Sequence, residues 1–412
     1  MHLKNMGSDG IQSGVPCSLR RRDIWLMAFG TGGMVANIYY IQPLLASIAS
    51  SFRISVAEVG GVAMLSQLGT ALGMLLFVPL GDTKERRRLI VILALAASLC
   101  LVLMATAREV WWLLIASFGI GMTAAAVHVI VPYAAHLAPA NRRGAAVGTV
   151  LSGLLFGILL ARTLSGLLAA WLGWRSIYWL AAALALAIAG LFRLQLPKSK
   201  PAAGLSWLGL IRSAAELVRT QPVLREAALL GAVFFSAFSA FWTTLVFYLQ
   251  TPPYHYGSAI AGLFGLVGVA GAIGAPIIGK AADRHGPRGN ILLALVATLA
   301  SFAVMYFVGS HLAGLVLGVI LLDFGVQAGH VTNQTRIYSL LPEARSRLNM
   351  VYMICYFTAG AIGSYAGTIL WEHFEWGGVC GLGTALILLG GLVHAGARRG
   401  FPAAASYAES ES

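Results

Sequence analysis

Apolar stretches long enough to cross a bilayer recur along almost the whole chain, and nothing else in the sequence restricts its fold so strongly. They begin near Ile24, end near Gly396 and are separated by short polar breaks. A helix needs about 20 apolar residues to span the hydrocarbon core. On that measure the sequence predicts twelve spans, near 24–46, 57–81, 89–106, 110–137, 145–170, 176–196, 226–250, 258–280, 290–309, 312–341, 348–371 and 376–396. Only 10% of the residues are charged, well below the roughly 25% of an ordinary soluble domain. The expectation is an all-α membrane protein, because backbone polar groups in lipid must be satisfied within the segment that carries them.

The formal net charge of +13 points to orientation and not to nucleic acid. When the breaks are numbered alternately from the N-terminus, the 28 Lys and Arg residues sort almost entirely to one side. Only Arg53, Arg108 and Arg175 fall on the other, and Arg162 lies inside a span. Such asymmetry marks the cytoplasmic side, so both termini are expected there and the number of spans is even. The four cysteines are scattered and fit neither a disulfide framework nor a metal site. No Gly-x-x-x-x-Gly-Lys-[Ser/Thr] occurs, which argues against ATP as an energy source within this chain.

The widest polar break, 197–225, separates two halves of six spans each, 22–196 and 226–397. Within it Leu205, Leu208, Ile211, Ala215 and Val218 alternate with Arg212, Glu216 and Arg219, the pattern of a surface amphipathic helix. Residues 1–21 and 398–412 read as cytoplasmic ends outside the helical core. The halves share landmarks in the same order. Gln42-Pro43 after the first span matches Gln250-Thr-Pro252 after the seventh. Gly81-Asp82 after the second matches Ala282-Asp283 after the eighth, and Pro139-Ala-Asn-Arg142 after the fourth matches Pro342-Glu-Ala-Arg345 after the tenth. A six-span unit repeated in parallel around a central site is an architecture used by transporters.

At these loops the chain resembles the major facilitator superfamily of secondary transporters. The family signature after the second span is Gly-x-Leu-x-Asp-Arg-x-Gly-Arg-Arg. The second-half copy is close to it: Gly279-Lys-Ala-Ala-Asp283-Arg284-His-Gly286-Pro-Arg288. The first copy keeps Leu80, Asp82, Arg86 and Arg87, with Val78, Thr83 and Glu85 as departures. The resemblance implies two six-helix bundles that rock about a central cavity and assigns Asp82, Arg86, Arg87, Gly279, Asp283, Arg284, Gly286 and Arg288 to a cytoplasmic gate. The segments Tyr39-Tyr40-Ile-Gln42-Pro43 and Gly166 to Arg175 are similar to bacterial proton-coupled drug and sugar exporters. In the fifth span an Arg, Arg162, stands where the antiporter pattern of those proteins has a kinking proline.

Two charges lie inside apolar spans, Arg162 and Asp323. A charge at such depth costs several kcal/mol unless it meets a partner, water or a cavity. Asp323, Gln327, His330 and Gln334 fall on one helix face. The expectation is that Asp323 exchanges a coupling proton, with His330 and Arg162 as its assistants. The alternatives are a structural ion pair for Asp323 and a carbonyl-satisfying imidazole for His330. Asn37, Tyr40, His128, Ser239, Trp242, Thr243, Gln327 and Gln334 are the candidate cavity residues, with no metal and no cofactor besides the proton. The functional expectation is a monomeric transporter of a small organic solute in a bacterial inner membrane, exporting it against protons. Proton symport or facilitated uptake is the rival, and a solute sensor or a membrane-embedded enzyme the more distant alternatives.

Overall fold

In the computed structural model, residues 21–199, 206–268, 271 and 286–397 are described. Among these there is no strand, and helices follow one another with short turns. The first half is α1 (Arg21–Tyr39), α2 (Leu45–Phe52), α3 (Val56–Thr83), α4 (Arg86–Thr106), α5 (Val110–Ala124), α6 (Ala126–Leu137), α7 (Arg143–Leu172) and α8 (Arg175–Gln195). After α9 (Trp207–Thr220) come α10 (Pro222–Gln250), α11 (Ser258–Gly268), α12 (Gly286–Phe307), α13 (Leu312–Tyr338) and α14 (Arg345–Ala397).

Local chemistry sets the boundaries. Ser55 caps α3 by accepting from the Glu58 amide at 3.2 Å, while the Glu58 carboxylate accepts from the Ser55 amide at 2.8 Å. This reciprocal box satisfies two amides that helix geometry leaves without partners. The first crossing, Arg21–Phe52, is interrupted at Gln42-Pro43-Leu44, a single 3-10 turn with proline at its start. The fourth, expected as one helix over 110–137, is divided into α5 and α6 at Ala125. Nothing in the structure explains that division. α14 is 53 residues long and turns back on itself at Glu375, whose φ of 50° is not helical. Its first part ends with Glu372 against Ala57, and its second returns along α12 from Met305 to Leu295. Ten described helical stretches have the length and apolarity to cross a membrane. The last contains two crossings and α11 is a shorter apolar helix, so the described helices bear out the expected all-α membrane fold.

α9 falls within the break 197–225, capped by Ser206 and with Ala214 and Leu217 buried. It straps both bundles at the face that carries the chain termini. The Trp207 indole donates to the Leu76 carbonyl at 3.1 Å, and Arg347 donates to the Ser213 hydroxyl.

Direct hydrogen bonds between the bundles run from mid-depth to the opposite face. The Ala57 amide donates to Glu372 at 2.7 Å, and Gln67 donates to Ser364 at 2.7 Å. Ser239 donates to Gln67 at 3.2 Å, and Thr163 to the Gly262 carbonyl at 3.3 Å. Gly60 lies so close to Thr368 that a Cβ there would stand 2.8 Å from the Thr368 Cβ. The bundles are therefore sealed against each other on the face remote from the termini.

Candidate functional site

The two intramembrane charges meet at the seam between the bundles. Arg162 on α7 is 4% exposed and Asp323 on α13 is 6% exposed. Both pack against α11, whose glycines permit the approach. A Cβ at Gly265 would stand 2.9 Å from the Arg162 Cβ, and one at Gly268 would stand 2.9 Å from Asp323 Oδ1. Small residues at such a crossing let backbones and short side chains come together in the absence of a hydrophobic driving force. One helical turn of α11 thus spaces the two charges.

They interact electrostatically but form no ion pair. Arg162 donates instead from Nε to Gln42 Oε1 at 2.6 Å. Its guanidinium lies over Trp242 at 4.0 Å, with Tyr39 at 4.9 Å and Phe238 at 5.8 Å. A guanidinium stacked on aromatic faces is held without spending its remaining donors, and Nη2 has no hydrogen-bond partner. Asp323 Oδ2 also has none. The Trp242 indole is within electrostatic reach of Asp323, yet its N–H makes no hydrogen bond, and a donor that misses its angle contributes little. The Tyr39 side chain interacts with both charges.

Two small cavities flank this centre. One is lined by Gln42, Pro43, Arg162, Trp242, Leu245 and Ala261 among others, the second by Tyr39, Gln42, Gln67, Phe235 and Phe357 among others. Gln42 and Gln67, which line them, had not been singled out in the sequence as cavity residues.

The other candidate residues divide. His330 shares a 3.0 Å hydrogen bond with the Tyr352 hydroxyl and lies within electrostatic reach of His128 across the seam. Gln334 donates to Asn349 at 3.1 Å, and Gln327 is half-buried. Ser239 and Thr243 belong to the sealed contact through Gln67 and Ser364. Asn37 is buried on α1; Tyr40 packs in the apolar core, while its neighbour Tyr39 faces the charges. Among the described residues no group of three His, Cys, Asp or Glu is placed to hold a metal.

Of the gate motif, Arg86 pairs with Asp82 at 3.0 Å and donates to the Gly81 carbonyl at 2.9 Å and the Pro132 carbonyl at 3.4 Å. Arg87 donates to the Leu196 carbonyl at 3.0 Å. These contacts tie α3, α4, α6 and the end of α8 within one bundle. Arg288 is exposed and Gly286 has a positive φ of 68°; Gly279, Asp283 and Arg284 lie outside the described residues.

A further buried acid escaped the sequence reading, which placed Asp323 alone inside an apolar stretch. Glu226, near the start of α10, accepts from Arg336 at 2.6 Å, with His394 Nδ1 at 3.8 Å. Its position at the edge of a polar break concealed it.

The sequence pattern of the Major Facilitator Superfamily matches residues 25–364 and again 255–400. The chain belongs to this superfamily. Superfamily members are transporters and not enzymes, so the chain is an integral membrane transporter. It is 40% identical over 371 residues to the "Putative uncharacterized transporter YgaY" of Escherichia coli (strain K12), covering 90% of this chain and 94% of that one. It is 34% identical over 368 residues to the "Probable transporter SCO4007" of Streptomyces coelicolor, covering 89% and 85%. A "Probable sugar efflux transporter" of Helicobacter acinonychis is 26% identical, with 88% and 92% covered. Among solved structures, the superfamily fold recurs in the peptide transporter POT in complex with sulfate. That likeness has a TM-score of 0.76, 14% identity and coverage of 93% and 97%.

Proposed function

We propose that this superfamily member moves a small organic solute by alternating access, and that Asp323 carries a coupling proton. The supporting observation is the pair of opposite charges buried at the bundle seam, close but unpaired. A purely structural charge pair in a low-dielectric interior is stable when its members touch and satisfy each other. Charges held apart instead leave each free to take a different partner in turn, which is what an exchange site requires.

Export against protons is the first reading. It is supported by relatives named as sugar efflux transporters and by the Tyr39-Tyr40-Ile-Gln42-Pro43 segment that resembles exporters. Proton symport is the second, favoured by Arg162 in the place of the antiporter proline. The termini are assigned to the cytoplasm and the membrane to the bacterial inner membrane, on the strength of the Lys and Arg asymmetry and the bacterial relatives. The bundles are then sealed toward the outside in this conformation, and rocking opens the seal.

The test is solute flux in proteoliposomes under an imposed pH gradient, with pooled solutes. Uphill movement that depends on the gradient and disappears in Asp323→Asn, while the variant still inserts and purifies as a single species, is the expected result. Downhill flux indifferent to the gradient and to Asp323→Asn would sink the proton role. The direction of solute relative to proton separates antiport from symport.

A further inference from the structure

Three buried polar atoms at the centre have no partner: Arg162 Nη2, Asp323 Oδ2 and the Trp242 indole N–H, and the first two belong to charged groups. Both charged residues are more than nine-tenths buried, and they belong to different bundles. The surroundings hold both side chains in place. Arg162 Nε is engaged by Gln42, and the guanidinium face by Trp242. The Asp323 side chain is confined by Gly268 and Gly271 of the eighth span, where a Cβ at Gly271 would stand 3.1 Å from the Asp323 Cβ. The charges are near enough to interact yet form no direct bond.

We propose that the solute is zwitterionic, with its anionic group on Arg162 Nη2 and its cationic group on Asp323 Oδ2. The class is that of an amino acid or a similarly compact dipolar molecule. This deepens the central-site reading above and rests on it. The complement is chemical as well as geometric. A guanidinium offers donors only and an ionised carboxylate acceptors only, so a solute carrying one group of each kind satisfies both orphans at once. A solute with a single charge leaves the other orphan buried and unpaired. Tyr39, Phe238 and Trp242 around Arg162, with Pro43, Leu245 and Ala261 of the adjoining wall, supply apolar surface for the solute's body.

The arrangement also accounts for exchange. The groups that interact electrostatically with Asp323 are Arg162 from α7, Tyr39 from α1, Trp242 from α10 and Tyr356 from α14. Of these only Arg162 carries a permanent charge. A proton on Asp323 removes the negative charge that holds the cationic group, so proton and solute oppose one another there. That is the linkage an antiporter needs.

The test is equilibrium binding to the purified full chain in nanodiscs, with tritiated phenylalanine, leucine and glutamine as probes. Competitors are phenylalanine, its C-terminal amide, which lacks the anion, and N-acetylphenylalanine, which lacks the cation. Saturable binding of at least one zwitterionic probe is expected, with both singly charged analogues of phenylalanine weaker by about tenfold or more. Arg162→Gln is expected to erase the preference over the amide, and Asp323→Asn the preference over the N-acetyl form. A variant that merely disturbs packing would weaken all ligands alike. Absence of saturable binding for all three probes overturns the proposal, as does binding that ignores removal of either charge. Because the wild-type competition series is decisive alone, a variant that fails to fold leaves the proposal testable. Zwitterion binding with flux insensitive to a pH gradient would instead sink the proton coupling and leave this inference standing. Gradient-driven flux of a neutral solute with no zwitterion binding would do the reverse.

Discussion

At the residue scale, the cost of burying charge organises both polar centres. Glu226 and Arg336 meet at 2.6 Å with side chains 9% and 12% exposed, so each has exchanged water for the other. Removing one partner from such a pair costs about 3–5 kcal/mol, whereas replacing both by apolar residues of similar size is often neutral or better. Glu226→Gln is therefore expected to lower the thermal midpoint of the detergent-purified protein markedly, and the double variant Glu226→Leu with Arg336→Leu to recover most of the loss. A double variant as unstable as the single one would contradict this account. The Arg162 and Asp323 centre differs in kind, since its members remain apart with unpartnered atoms. For that reason its variants are expected to alter ligand handling more than stability.

At the element scale, α11 acts as the spacer between the bundles. Its glycines let Arg162 and Asp323 flank a single helical turn, and a side chain at Gly268 has no room without displacing the Asp323 carboxylate. Gly268→Val is expected to abolish solute flux while the protein still inserts and purifies as a single species, a split that size-exclusion chromatography and a flux assay together read out. The seal formed by α3 and α14 is polar where it is deepest. Gln67 donates to Ser364, accepts from Ser239, and Ser364 shares a 2.8 Å bond with Thr243. A Leu at position 67 leaves these hydroxyls without Gln67, at about 1–3 kcal/mol for each buried group left unsatisfied. Gln67→Leu is thus expected to shift the protein toward the state open at the sealed face, measured as faster labelling of a cysteine introduced at Ala57.

At the scale of the whole molecule, alternating access requires the seal to break and reform in every cycle. Gly60 and Thr368 lie on opposite bundles, and a Cβ at Gly60 would stand 2.8 Å from the Thr368 Cβ, below the roughly 3.5–4.5 Å of a disulfide, so a small parting of the helices brings the pair into range. In a background free of other cysteines, Gly60→Cys with Thr368→Cys is expected to cross-link on oxidation, stop flux and regain it on reduction. Undiminished flux through the fully cross-linked protein would rule out rocking about this seam. Among the described residues the strap α9 reaches both bundles by side-chain hydrogen bonds, Trp207 to Leu76 and Arg347 to Ser213. It limits how far they separate without joining them rigidly.

The helical membrane architecture was legible in the residues because lipid gives the backbone no alternative and because apolar length is counted directly along the chain. The duplicated halves and the amphipathic strap were legible too, as loop motifs and as a helical period. Asp323 and Arg162 stood out because charge inside an apolar run is rare. Their relationship did not, since it depends on α11 bringing two separate bundles within reach, and nothing local to either residue encodes that. Gln42 and Gln67 were invisible as site residues for the same reason: an amide acquires its role only from the partner across the seam. Tyr40 was chosen over Tyr39 because spacing along a helix cannot say which of two adjacent rings faces the neighbouring bundle. Periodicity is a property of one helix and was written in the sequence; contact between helices distant along the chain is a property of packing, and only the tertiary structure decided it.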